Sequence, residues 1–132
     1  MIEGIHHVGI AVADLDASIA LYTKALGAVL VQRIANDQEG LEAAFLRTGD
    51  GEVELMSPTR DDSPVGKFVA RRGPGLHHVA FGVKDIRQAL ADASAAGCEL
   101  IDAEPRRGMH GSLIAFIHPK SLGGVLTELV EV

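Results

Sequence analysis

The chain opens on an alternation of apolar and small or polar residues. Val8, Ile10 and Val12 fall on one face of an extended segment, and Ile5, His7, Gly9 and Ala11 on the other; this two-residue period predicts a strand. The period then lengthens. Leu15, Ile19, Tyr22 and Leu26 form one apolar stripe of a helix. Asp14 or Asp16 can cap that helix, and Gly27 can stop it. Strands are expected near Ala28–Ala35, from Leu41 to Arg47 and from Glu52 to Ser57, with a polar loop from Asn36 to Gly40. Thr48-Gly49-Asp50-Gly51 predicts a hairpin turn. On the return strand Val53 and Leu55 share one face, and Glu52, Glu54 and Met56 the other. Ser63-Pro64 starts a short helix that runs to Arg72 and is ended by Gly73-Pro74-Gly75.

This pattern occurs twice. Gly4-Ile5-His6-His7-Val8 returns 71 positions on as Gly75-Leu76-His77-His78-Val79, and Ala44-Phe45-Leu46 as Ala115-Phe116-Ile117. Val53-Glu54-Leu55 returns 74 positions on as Thr127-Glu128-Leu129, so the second hairpin loop, His118 to Gly124, is longer. Asp85 caps a helix that begins at Ile86 and stops at Gly97; strands are expected near 98–103, 112–117 and 125–131. Each half therefore reads βαβββ. Neither half is long enough to bury a core alone. The expected architecture is α+β: one domain over residues 1–132, with module one over 1–62, a linker helix over 63–72 and module two over 73–132.

Composition narrows the class. The 132 residues are 47% hydrophobic but only 4% aromatic, so aliphatic side chains must fill the core. Cys98 is the only cysteine, in keeping with a reducing compartment. The first residues lack a secretory leader pattern, and no apolar run approaches the ~18 residues of a membrane span. A cytoplasmic protein without membrane attachment is expected. The net charge of −6 argues against nucleic acid as a partner.

The chemistry sits on the repeat. His7 and His78 lie on the first strand of each module, Glu54 and Glu128 on the last, all on faces opposite the apolar packing faces. Two imidazoles and two carboxylates suit a borderline divalent metal and leave open positions for a chelating substrate. His6 and His77 share the packing faces and are expected to be structural. Glu42 has no counterpart, since Leu113 occupies the equivalent position; it is expected beside Glu54 as a free carboxylate base. The Gly-rich loop His118–Gly124 carries Lys120 and suits a phosphate, and Lys67, Arg71-Arg72 and Arg106-Arg107 are further cations for an anionic ligand.

These features resemble the vicinal oxygen chelate superfamily. The stretches Ile5-His6-His7-Val8, Gly40-Leu41-Glu42, Val53-Glu54-Leu55, Gly75-Leu76-His77-His78 and His118-Pro119-Lys120 through Leu129 are similar to the methylmalonyl-CoA epimerase family within it. The resemblance implies a cupped mixed sheet around one divalent ion, Co²⁺ first, with Mn²⁺, Ni²⁺ or Zn²⁺ as substitutes. It implies His7, His78 and Glu128 as ligands, with Glu54 at a position that the family fills with Gln or Glu. It implies Glu42 and Glu128 as the catalytic pair that moves the α-proton of methylmalonyl-CoA through an enolate, interconverting the (2R) and (2S) forms. Gln38, Lys67, Ser112, Lys120 and Ser121 are the expected substrate and CoA contacts, and the family implies a homodimer. Rival readings are a glyoxalase-type isomerase of a glutathione hemithioacetal, an iron dioxygenase with two His and one carboxylate, and a non-enzymatic small-molecule-binding protein of the same fold.

Overall fold

The computed structural model describes residues 2–132. The elements follow the order β1 (Ile2–Ala11), α1 (Leu15–Leu26), β2 (Val29–Asn36), β3 (Leu41–Thr48), β4 (Gly51–Pro58), α2 (Pro64–Arg72), β5 (Gly75–Val83), α3 (Ile86–Ala95), β6 (Arg106–Arg107), β7 (Leu113–Ile117), a 3₁₀ turn (Pro119–Leu122) and β8 (Thr127–Glu131). They group into two compact units, His7–His77 and residues 2–6 with His78–Val132. The unit boundaries thus fall inside the two His-His pairs rather than at the expected linker helix, and α2 belongs to the first unit.

In the first unit the strands run β2–β3–β4–β1. The β1 strand is parallel to β4, with Val8 opposite Val53 and Gly9 opposite Glu54. The remaining pairs are antiparallel. Val12, Leu15, Ala28, Ala44, Leu46 and Leu55 form a buried core, onto which Ile10, Ile19, Tyr22 and Val53 pack. The α1 stripe and one face of the sheet therefore meet as the two hydrophobic periods predict. Asp14 is the cap: its Oδ1 accepts from Ala17 N at 3.0 Å, satisfying a donor the helix leaves open. Gly27 ends α1 in the left-handed region at φ 71°, where a side chain would be strained. Ser63 caps α2 in the same manner, accepting from Gly66 N at 3.0 Å.

The second unit repeats the plan, in the order β1–β5–β8–β7–β6, with β1 represented by its first residues. The β5 strand is parallel to β8, with Ala80 opposite Glu128. Val83, Ile86, Leu90, Ala115, Ile117 and Leu129 form its core against α3. Asp85 caps α3 through Gln88 N at 3.0 Å. The strand expected near 98–103 does not form. Only an isolated bridge, Leu100 to Ile117, and the two-residue β6 remain there. Ile101 N and Asp102 N both reach Phe116 O, and the Asp102 carboxylate accepts from Phe116 N at 2.9 Å. A side chain thus takes the donor that a ladder would use, and Pro105 has no N–H to resume one. The second module is accordingly a shortened version of the first.

Helix α2 starts in a tight turn. A Cβ on Gly66 would meet Arg60 O at 2.6 Å and Asp61 O at 2.8 Å. Backbone cannot move aside as a side-chain tip can. The Gly66→Ala substitution is therefore expected to destabilise the protein by about 1–3 kcal/mol, read as a lower midpoint in urea at unchanged slope.

Candidate metal centre

His7 is brought to its position by strand alternation: it shares the face of Gly9 and Ala11, while Val8, Ile10 and Val12 turn toward the α1 side. The side chain is 1% exposed. Because β1 and β4 are in register at Gly9 and Glu54, the absent side chain of Gly9 leaves room beside the carboxylate. His7 Nε2 lies 3.4 Å from Glu54 Oε1, and Glu54 is 6% exposed. On the other side of Glu54, in register across β3, is Phe45, also buried.

The second unit builds the same arrangement. His78 Nε2 lies 2.9 Å from Glu128 Oε2, and both residues are buried. Ala80 stands opposite Glu128 on one strand and Phe116 on the other. The Phe116 ring meets the His78 imidazole edge to face, with centroids 5.6 Å apart. Each half thus presents a buried histidine, a carboxylate within reach of its Nε2, a small residue on one flank and a phenylalanine on the other. The two phenylalanines were not anticipated as part of the site, although the repeat of Ala44-Phe45-Leu46 as Ala115-Phe116-Ile117 carried the signal.

The donor set fits a metal. Imidazole nitrogen and carboxylate oxygen both coordinate borderline divalent ions. A buried carboxylate is costly without a partner, and in each unit a histidine Nε2 stands against it. Each pair offers one imidazole nitrogen and a carboxylate, donors that suit a divalent ion.

Glu42 is not where it was expected. The β3–β4 register sets Glu42 opposite Ser57 and Phe45 opposite Glu54. Glu42 therefore shares the face of Ala44 and Leu46, which pack in the α1 core, and Glu54 points from the other face. Its carboxylate accepts from Arg33 Nε at 2.5 Å, and the same guanidinium reaches Asp16. These two hydrogen bonds, that to Asp16 foremost, raise the Arg33 pKa above its ordinary value. Glu42 lies at the edge of an open cavity of about 310 Å³ beside the start of α1, with Asp14, Asp16, Arg33 and Ser57. Ala43, fully buried, occupies the Glu54 side instead. The two-residue turn after Thr48 fixes this register.

The anion-contact candidates are dispersed. In the first unit Gln38 is exposed in the β2–β3 turn, where its carbonyl accepts from Arg60 Nη2 at 2.9 Å. Lys67 is exposed on α2. In the second unit Ser112 is half-buried, and its carbonyl accepts from Gly108 N. Lys120 and Ser121 serve the loop itself. Lys120 Nζ lies 2.7 Å from Glu99 Oε2, which lowers the Glu99 pKa, and Ser121 Oγ accepts from Glu99 N at 2.8 Å. His6 and His77 are half-buried; His77 packs against Phe68, with ring centroids 4.8 Å apart.

The chain belongs to the glyoxalase/bleomycin resistance protein/dioxygenase superfamily, whose family model matches residues 6–116. Among similar proteins is the ethylmalonyl-CoA/methylmalonyl-CoA epimerase of Cereibacter sphaeroides, 34% identical over 134 residues and covering all of both chains. Methylmalonyl-CoA epimerase from Mycobacterium tuberculosis is 42% identical, with a TM-score of 0.93 over 98% of this chain and 88% of that one. A methylmalonyl-CoA epimerase in complex with methylmalonyl-CoA and NH₄⁺ is 41% identical, with a TM-score of 0.95 over 99% of this chain and 95% of that one.

If Glu42 lies on the α1 side, Glu42→Gln will leave the divalent metal content unchanged by elemental analysis. It will cost no more than about 1 kcal/mol of stability, since its ion pair is solvent-accessible. Loss of metal from the folded variant would put Glu42 at the site after all.

Proposed function

We propose that this chain is a methylmalonyl-CoA epimerase, interconverting the (2R) and (2S) forms, and that His7, Glu54, His78 and Glu128 together hold one divalent ion. The observation that carries the reading is the buried His–Glu pair built twice at repeat-equivalent positions (3.4 Å for His7–Glu54 and 2.9 Å for His78–Glu128). The substrate class comes from the named relatives, which match over nearly the whole chain at 34% to 42% identity. Cobalt is the first choice of ion, with Mn²⁺, Ni²⁺ or Zn²⁺ as substitutes.

When bound, the ion supplies a Lewis acid for the thioester and carboxylate oxygens of the substrate, lowering the cost of charge that develops as the α-proton leaves. The residues of the chain do the rest. His7 and His78 supply neutral imidazole donors. Glu54 and Glu128 would also hold the ion, and they are the carboxylates we assign to exchange a proton with the α-carbon. Epimerisation requires removal on one face and return on the other, and so calls for two acid–base groups. We therefore keep Glu128 as an acid–base residue and assign its partner role to Glu54, because Glu42 lies on the α1 side of its sheet, paired with Arg33. Phe45 and Phe116 flank these carboxylates in register on the neighbouring strands.

For the CoA portion, Gln38, Lys67, Ser112, Lys120 and Ser121 remain the contacts to test. Lys67 is favoured over Lys120, whose ammonium already pairs with Glu99. A homodimer is in keeping with the exposed apolar run Val29, Leu30 and Val31 on edge strand β2, at 49%, 42% and 54% exposure. Among the described residues no helix is long and apolar enough to cross a membrane, and a cytosolic location suits the one unpaired cysteine, Cys98.

The test is exchange of the substrate α-proton with deuterium from solvent. The Co²⁺-loaded protein will exchange it, and chelation will abolish exchange until Co²⁺ is restored. Absence of exchange alongside turnover of a glutathione hemithioacetal would replace the epimerase reading with the glyoxalase one. Glu54→Gln and Glu128→Gln are each expected to lower kcat for epimerisation by about 10²–10⁴-fold, whereas Glu42→Gln retains it. If Glu42→Gln abolishes exchange in a metal-loaded, folded protein, the assignment to Glu54 is wrong.

A further inference from the structure

The His78 imidazole is held by more than its carboxylate. Rotation of a histidine ring about its outer side-chain bond meets only broad minima. Packing must therefore fix the ring plane, and with it the direction of the Nε2 lone pair. Glu128 Oε2 fixes one point, 2.9 Å from Nε2. Phe116 fixes the plane: its ring stands at 87° to the imidazole, with centroids 5.6 Å apart, inside the range in which edge-to-face aromatic pairs attract.

Phe116 is in turn placed by its neighbours. It lies in register opposite Glu128 of β8 and packs on the cluster of Ala80, Ile114 and Val130. Its N–H donates to Asp102 Oδ2 at 2.9 Å, and its carbonyl accepts from Ile101 N at 2.9 Å and from Asp102 N at 3.2 Å. Asp102 Oδ1 also accepts from Arg106 Nε at 3.4 Å. The Arg106 guanidinium lies over the Phe116 ring, its carbon 5.8 Å from the centroid, within cation–π reach. Asp102 thus serves both the backbone of Phe116 and the cation over its ring. All of these residues belong to the second unit.

We propose that Phe116 is a positioning residue for His78: its ring sets the imidazole plane in which Nε2 meets a divalent ion, and Asp102 and Arg106 hold Phe116 in place. The inference rests on the assignment of His78 as a ligand. Phe116 donates no atom to the ion. It removes other orientations of the imidazole, so less order must be gained on binding.

The test compares Co²⁺ affinity, by calorimetry, and the visible d–d absorption of the Co²⁺-loaded protein among variants that keep the wild-type circular dichroism spectrum. Phe116→Leu will bind Co²⁺ about 10-fold more weakly, with shifted d–d bands. Phe116→Tyr, which keeps the ring, will retain both the affinity and the bands of the wild type. Phe116→Met supplies bulk without a ring and will behave as Phe116→Leu does, so the result does not hinge on one variant folding. Wild-type affinity and bands in folded Phe116→Leu or Phe116→Met, or equal weakening in Phe116→Tyr, would overturn the proposal. If the wild-type protein takes up no Co²⁺, the metal reading fails and this inference with it. Neither readout involves substrate, so the α-proton exchange judges the epimerase reading separately.

Discussion

Burying a carboxylate is the constraint around which both halves are arranged. Glu54 and Glu128 are almost fully removed from water, and an ionised group in that position costs several kcal/mol unless it is paired or liganded. The chain meets the cost locally. Each glutamate has a histidine Nε2 within 3.4 Å, and each stands in register with a Gly or Ala that gives it room. Such a pair offsets only part of the desolvation.

Duplication explains how a short chain reaches this arrangement. One His-bearing strand, one capped helix and one Glu-bearing strand are used twice, with parallel pairing joining the first strand to the last in each half. The halves diverge outside these pairs. The first half keeps a full β2, whereas the second replaces its equivalent with a bridge and two residues. The second half gains the 3₁₀ turn, stapled to Glu99 by Lys120 and Ser121. The Glu42 carboxylate, the most prominent asymmetry in the sequence, serves the outer contacts of α1 and β2 instead.

Much was legible from local pattern. The helix over Leu15–Leu26 with its Asp14 cap, the α2 start at Ser63-Pro64 and the apolar faces of β1 and β5 follow from spacing, because helix and strand periods and cap chemistry are short-range properties. The buried His–Glu pairs were legible as well, since the repeat brought matching residues to matching strands. The strand expected near 98–103 was lost because Asp102 and Pro105 compete with ladder pairing, which propensity alone does not weigh.

The residues themselves thus determined the element order, the two modules and the identity of the four ionisable side chains. Tertiary structure decided the pairing of β3 with β4, and with it the face that Glu42 serves. Pairing between strands has a period of two, so one step of register moves a side chain to the opposite face. That step separates Glu42 from Glu54 and puts Ala43 in its stead.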